Sequence, residues 1–310
     1  MTASLSALPR AAILRAADSP LLRRVVDRYG MRLGAARFVA GETLDECVLV
    51  LRRLNDVGLH VNTTLLGEDI ASPDETAEVV IEYEGILDRL AAEELRANVA
   101  LKLTHLGLAF DEEVAYANLE RVVAHAGMLG LFVRIDMEQS AYVEPTLRSY
   151  ERLREAGHGN VGVVLQAYLH RAPSDLERLL PLAPNVRIVK GAYLEPASVA
   201  RPEKRDVDVA YVRLVERGLR GGAYVAVATH DERIIRHVQR FAEREGIERD
   251  RFEFQMLYGV RPALQRRLVA QSYKVLVATP FGPEWYPYLM RRLAERPANI
   301  LFFLRNLVRR

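Results

Sequence analysis

The 310-residue chain has a single cysteine, Cys47, so no disulfide can form within it and a cysteine-built metal cluster is all but excluded. It also lacks a charge of one sign. Its 43 basic and 41 acidic residues leave a net charge of +2, too little for a global field toward nucleic acid. No apolar run reaches the ~18 residues that a membrane span needs, and no secretory signal opens the chain. No phosphate loop of the form G-x-x-x-x-G-K-[ST] is present, and no G-x-G-x-x-G follows a strand-like run. The one formal match, GHGNVG at 157–162, leads into a strand-like run instead of opening a helix, and reads as a turn. The absence of G-x-S-x-G disfavours a serine hydrolase of that type. The histidines (60, 105, 125, 158, 170, 230 and 237) show no H-x-x-x-H or H-x-x-E-H spacing, so a metal centre is not expected. Low-complexity segments, linkers rich in Pro, Gly or Ser, and sharp internal repeats are missing too. The composition, 50% hydrophobic and 27% charged, is that of a soluble, intracellular globular protein.

What the chain does have is a rhythm. Near-continuous apolar runs recur at 58–66, 98–107, 130–137, 161–169, 186–194, 223–230, 252–259 and 273–282. Such runs suit parallel strands buried on both faces. Helical periods fill the gaps: Leu119, Val122, Val123 and Ala126 share one spacing, as do Val207, Ala210, Tyr211 and Leu214. Cys47 sits in a run, DECVLVLRRL, that reads as a buried helix face. Eight strand signals alternating with helices predict one α/β domain over 1–310, a closed (βα)8 barrel of the TIM type. Residues 1–57 form a helical arm before a barrel at 58–310, and a doubly wound open sheet is the rival. Residues 1–37 hold seven arginines against two aspartates, as a transit peptide would. The stripe Leu22, Val25, Val26 and Tyr29 favours an ordered amphipathic helix instead.

In such a barrel the active site lies at the C-terminal strand ends. Polar groups collect there: Lys102, Asp136, Gln166, Arg187, Lys190, Tyr193, Thr229, His230, Gln255 and Tyr258. Each has a plain structural reading. Lys102 and Asp136 can pair across the mouth, His230 can adjoin the helix cap Asp231, and buried amides often serve the backbone. Six strands carrying such groups is nevertheless more than a core requires. Near the end, YPYLMRRLAERP at 286–297 places Tyr288, Arg291, Arg292 and Glu295 on one helix face. Cations outnumber carboxylates in this set, which suits a small anion such as a carboxylate or phosphate. The residues alone point to a barrel enzyme acting on a small anion, and Lys102 or Lys190 at a strand end leaves Schiff-base chemistry of the lyase or aldolase type open.

Seven segments in order, VALKLTHLG, FVRIDME, GVVLQAYL, RIVKGAY, VATHD, FEFQMLYG and YLMRRLAER, resemble the proline dehydrogenase family from about residue 38 to the end. The chain looks like its short, monofunctional bacterial members, and is similar to the proline dehydrogenase domain of proline utilisation A flavoproteins. The resemblance implies a distorted (βα)8 barrel holding non-covalent FAD. It implies oxidation of L-proline to Δ1-pyrroline-5-carboxylate by hydride transfer to flavin N5, the first step of proline catabolism. Electrons would pass to a membrane quinone, and a pyrroline-5-carboxylate dehydrogenase would be the pathway partner. The implied place is the cytoplasm, or the inner face of the membrane, with no nucleic acid involved.

Carried over by motif, Lys102, Asp136 and Arg187 are the implied catalytic residues. Arg291, Arg292 and Lys102 would hold the substrate carboxylate on a C-terminal substrate-binding helix. Tyr193, Leu257, Ala278 and Tyr288 would wall the ring, and Glu295 would steady the arginines or meet the amine. Asp136, Val164, Gln166, Arg187, Lys190, Gly191, Ala192, Thr229, His230 and Gln255 would line the flavin. Two positions depart from the family pattern. Ala278 stands where a tyrosine is usual, which leaves room for a hydroxylated ring. Thr64 stands where an acid is frequent, with Glu68 nearby to pair with Arg291 or Arg292.

Overall fold

The computed structural model describes residues 35–67, 70, 72 and 75–295, the last five as helical backbone only. The Leu22–Tyr29 stripe and the basic run at 1–34 lie outside the described residues, as does Glu68. From the arm onward, helix α1 (Leu44–Asp56) precedes β1 (His60–Leu65). Then follow α2 (Glu75–Ala92), β2 (Ala97–Leu101), α3 (Glu112–Met128), β3 (Val133–Ile135), α4 (Ser140–Glu155) and β4 (Val161–Gln166). The second half runs α5 (Ala172–Leu179), β5 (Asn185–Val189), α6 (Lys204–Arg220), β6 (Tyr224–Ala228), α7 (Glu232–Glu245) and β7 (Phe252–Leu257). Helix α8 (Pro262–Ala270), β8 (Val275–Phe281) and α9 (Trp285–Glu295) complete it.

The strands close in order into one parallel barrel, β8 pairing with β1. Each strand is shorter than the apolar run that announced it, because the ends of the run belong to the loops entering and leaving the barrel. The helical stripes pack as their period requires. Leu119, Val122, Val123 and Ala126 are buried on α3, and Tyr211 and Leu214 on α6. Thr43, Asp111 and Asp231 cap α1, α3 and α7 by accepting from free backbone N–H groups.

Alternation along each strand decides which residues see the interior. Thr63 faces outward, its hydroxyl 3.5 Å from Cys47 on α1, so its neighbour Asn62 faces inward. Inward positions on the odd strands are polar: Asn62, Arg134, Arg187, Glu253 and Gln255. Beside them on the even strands sit the small or apolar Ala100, Gly162, Val164, Ala226 and Leu276, while Asn98, Gln166 and Tyr224 share that parity nearer the strand ends.

The lower interior is closed by a charged layer. Arg134 is 1% exposed and donates to the Asn185 carbonyl at 2.8 Å and to the Asn185 side chain at 2.5 Å. Gly162 makes room for it, since a Cβ there would lie 2.3 Å from Nη1. Burial, reinforced by Arg187, lowers the Arg134 pKa to about 10, still charged at neutral pH. Glu253 accepts from Tyr224 (2.8 Å), Lys274 (2.9 Å) and Gln255 (2.5 Å). Burial raises its pKa, but Lys274, Gln255 and Arg134 outweigh that and hold it below the ordinary carboxylate value.

A second apolar cluster lies apart from the barrel core. Ala35, Phe38 and Val39 of the arm pack with Leu66 and with Trp285, Tyr286, Leu289 and Met290 of α9. The arm is tied to the C-terminal end of β8, Ala40 N donating to Pro280 O at 2.8 Å and Gly282 N to Gly41 O at 3.1 Å. It therefore sets where α9 lies relative to the barrel rim.

Candidate active site

The centre of the site is the Arg187 guanidinium, delivered inward by β5 and 8% exposed. Its Nη1 donates to Asp136, just beyond β3, at 2.5 Å, and its Nη2 donates to the Asn62 amide oxygen on β1 at 2.9 Å. Three alternate strands thus meet at one cation. Asp136 has Arg187 as an ion-pair partner. Two donors of this group are left over. Arg187 Nε and Asn62 Nδ2 are buried with no hydrogen-bond partner among the described residues. An unsatisfied buried donor costs about 1–3 kcal/mol, so the pair calls for an acceptor that a ligand brings.

Around this centre the loops are pinned. Gln166, at the end of β4, donates to the Glu138 carbonyl at 2.8 Å, while the Glu138 carboxylate accepts from the Thr104 hydroxyl at 2.6 Å. The loops after β2, β3 and β4 are thereby one unit. Glu195, in the loop after β5, accepts from Ser140 N and Oγ, each at 2.7 Å, and so caps α4. Arg201 holds the same loop by donating to the Leu169 carbonyl at 2.8 Å. At Gly191 (φ +114°) a Cβ would lie 2.1 Å from the Tyr168 ring, so only glycine lets the chain pass there. Burial, with Glu195 nearby, raises the Tyr168 pKa to about 12.

Lys190 is paired with Asp208 of α6, an anchor absent from the sequence reading. Burial raises the Asp208 pKa, but bonds from Lys190 and Lys204 outweigh it and hold the carboxyl below its ordinary value. His230 Nε2 accepts from Leu257 N at 2.9 Å, so that nitrogen carries no proton and the ring is neutral with its hydrogen on Nδ1. Thr229 Oγ1 accepts from Asp231 N at 3.1 Å, beside the α7 cap. Gln255 bonds Glu253 in the layer below.

Val164 is buried beside Arg187, its rung partner. Lys102, Tyr193 and Tyr288 are half-buried, and Ala192 is exposed on the loop after β5. Ala278, half-buried on β8, pairs in register with both Asn62 on β1 and Leu257 on β7. Arg291, Arg292 and Glu295 lie on the backbone of α9, and their side chains are outside the described residues. Among the described residues no three His, Cys, Asp or Glu side chains converge as a metal site requires, and no helix is long and apolar enough to cross a membrane.

Sequence reasoning missed Asn62, Arg134, Glu253 and Asp208. The first three share a signal that was available: polar residues at the inward parity of odd strands. Asp208 offered none, being one of many charges on an amphipathic helix.

The chain has known relatives. The family described as "Proline dehydrogenase" matches residues 49–305. The chain is 42% identical over 306 residues to "Proline dehydrogenase" of Deinococcus radiodurans, covering 97% of this chain and 98% of that protein. It is 40% identical over 289 residues to "Proline dehydrogenase 1" of Bacillus subtilis, covering 93% and 95%. Among solved structures, proline utilization A from Bdellovibrio bacteriovorus, inactivated by N-propargylglycine, superposes with a TM-score of 0.80 at 25% identity. That match covers 88% of this chain, which spans about a third (34%) of the larger protein.

Proposed function

The chain belongs to the proline dehydrogenase family, and we propose that it oxidises L-proline to Δ1-pyrroline-5-carboxylate with FAD as the bound oxidant and a quinone as final acceptor. The observation that carries this reading is the Asp136–Arg187–Asn62 constellation with its two spare buried donors. A group rimmed with acceptor atoms and gaining negative charge on reduction fits those donors, and the isoalloxazine ring is such a group. Bound flavin supplies a two-electron acceptor for hydride from the ring carbon next to nitrogen.

The chain's own residues then bind and orient. Arg187 places a fixed positive charge where the reduced cofactor needs one, and Asp136 fixes that guanidinium from the β3 side. Gln166, Val164, Gly191, Ala192, Thr229, His230 and Gln255 line the rest of the cofactor, with Lys190 held by Asp208 at its edge. His230 is held in place by the Leu257 N–H at its Nε2. Arg291, Arg292 and Lys102 grip the substrate carboxylate, and a guanidinium fork suits that geometry. Tyr193, Tyr288 and Leu257 wall the ring, and Glu295 steadies the arginines. Clamping one end of a small rigid ring fixes the other, which is catalysis by positioning. Loss of hydride from the ring carbon next to nitrogen to the oxidant would be balanced by loss of the ring N–H proton to solvent, turning C–N into C=N. The enzyme works in the cytoplasm or at the inner face of the membrane, and its product passes to a pyrroline-5-carboxylate dehydrogenase.

The test is optical. Purified protein supplied with FAD should be yellow, and anaerobic L-proline should bleach it. A colourless protein, trapped by borohydride onto a carbonyl compound, would replace this reading with the Schiff-base one.

A second reading concerns the substrate. The small Ala278 beside Leu257 leaves space against the ring, which supports better use of 4-hydroxyproline than in tyrosine-bearing relatives. Comparison of kcat/KM for both substrates in the native protein and in Ala278→Tyr decides it. An unchanged ratio removes the idea.

A further inference from the structure

Asn62 entered neither the sequence reading nor the family carry-over, yet it is the residue on which Arg187 leans from the far side of the barrel. It is 1% exposed, on β1, two strands beyond Asp136. Its orientation is decided by chemistry. The Nη2 of Arg187 can only donate, so the amide must turn Oδ1 toward it, and the 2.9 Å bond has that sense. Turning the amide over would set donor against donor. The same bond therefore keeps Nδ2 from pairing with that nitrogen, and no described residue accepts from it.

Two further observations give this placement a purpose. Asn62, Asp136 and Arg187 come from β1, β3 and β5, alternate strands that supply one layer of the interior. Within that layer the guanidinium is held on both sides, at Nη1 by a carboxylate and at Nη2 by a neutral amide. Neutrality matters. One aspartate already balances Arg187, and a second carboxylate at 62 would turn the trio from neutral to net negative where the proposed chemistry accumulates electrons. A carboxylate would accept from Nη2 just as well, so the hydrogen bond alone does not explain an amide. An amide supplies the acceptor, no charge, and a spare donor.

We propose that Asn62 is a positioning residue for the redox reaction. Its Oδ1 fixes the rotation of the Arg187 guanidinium. Its Nδ2, with Arg187 Nε, donates to an acceptor that arrives with the bound flavin ring. This inference rests on the flavoenzyme reading above.

Asn62→Asp and Asn62→Ala are measured as flavin-loaded protein, for flavin midpoint potential, flavin content, and kcat and KM with L-proline. Asn62→Asp keeps the size and the acceptor, so it should fold and bind flavin. It should favour the reduced flavin about tenfold less, a fall of roughly 30 mV for a two-electron couple. In both variants kcat should drop at least tenfold while KM for proline stays within threefold, because the substrate clamp is untouched. A potential equal to that of the native protein in Asn62→Asp overturns the proposal, even if kcat falls, since that pattern is a packing defect. A kcat within twofold of native overturns it as well. Should Asn62→Ala fail to fold, Asn62→Asp decides alone. Failure of the flavoenzyme reading looks different: the native protein itself takes up no flavin, before any variant is made.

Discussion

Trp285 donates its indole N–H to Glu42 at 2.7 Å, joining residues 243 positions apart. Trp285 opens α9 and Glu42 precedes α1, so this bond ties the first described segment to the last. The apolar cluster of Ala35, Phe38, Val39, Leu289 and Met290 surrounds the tie. Helix α9 carries the backbone of Arg291 and Arg292, so the arm is what holds the proposed carboxylate clamp to the barrel.

Trp285→Phe keeps the ring in that cluster and removes only the donor. A loss of about 1 kcal/mol in stability is expected for one hydrogen bond. If the tie positions α9, KM for proline rises severalfold while flavin content stays at the native level. A rise in KM without that stability change would separate the clamp from the arm.

Arg291→Lys and Arg292→Lys retain charge but lose the planar fork that grips a carboxylate at two points. Each should raise KM for proline by at least tenfold and leave flavin bound. Flavin loss instead of a KM effect would mean that the helix serves the cofactor.

Gly162→Ala tests the charged floor. Its added methyl would lie 2.3 Å from Arg134 Nη1 and 2.6 Å from the Asn185 carbonyl. Overpacking of this kind costs about 1–3 kcal/mol. Denaturant midpoints should fall with an unchanged slope, and the flavin potential should stay put because Arg187 is a rung higher.

Cys47 gives a pH prediction. Burial raises its pKa from 9.0 to about 11, against a smaller opposing effect of the Thr63 hydrogen bond. Below pH 9 the thiol is protonated in both folded and unfolded chains, and stability is unaffected. Between pH 9 and 11 the unfolded state loses its proton first, so this thiol makes stability fall as pH rises. Cys47→Ser should flatten that alkaline slope, and a thiol reagent at pH 8 should label the native protein only after denaturant is added.

The architecture was legible because a barrel strand covered on both faces must be apolar almost throughout. Runs such as VGVVLQAYL have few other uses, and β4 begins where that run does. The candidate site could be read where a polar residue ends or follows an apolar run, as at Asp136 and Gln166. It was obscure where meaning arises only on closure. In HVNTTL, Asn62 looks like any polar residue of a short strand. It acquires a partner because β8 returns to β1 and because Arg187 reaches across from β5. Lys190 shows the reverse: a strand-end cation read as a cofactor contact, whose nearest carboxylate, Asp208, sits one turn inside the following helix. Nothing in the spacing of α6 marks that aspartate out.

The alternation of inward and outward residues along each strand has a consequence for tolerance to length change. One residue inserted in the middle of β5 would bring Ile188 into the interior and turn Arg187 toward the helices. No adjustment of a side chain can undo that exchange, whereas the same insertion in the Glu195–Arg201 loop shifts no pleat. Strand length here behaves as a counted quantity, and the loops are where this barrel can absorb drift.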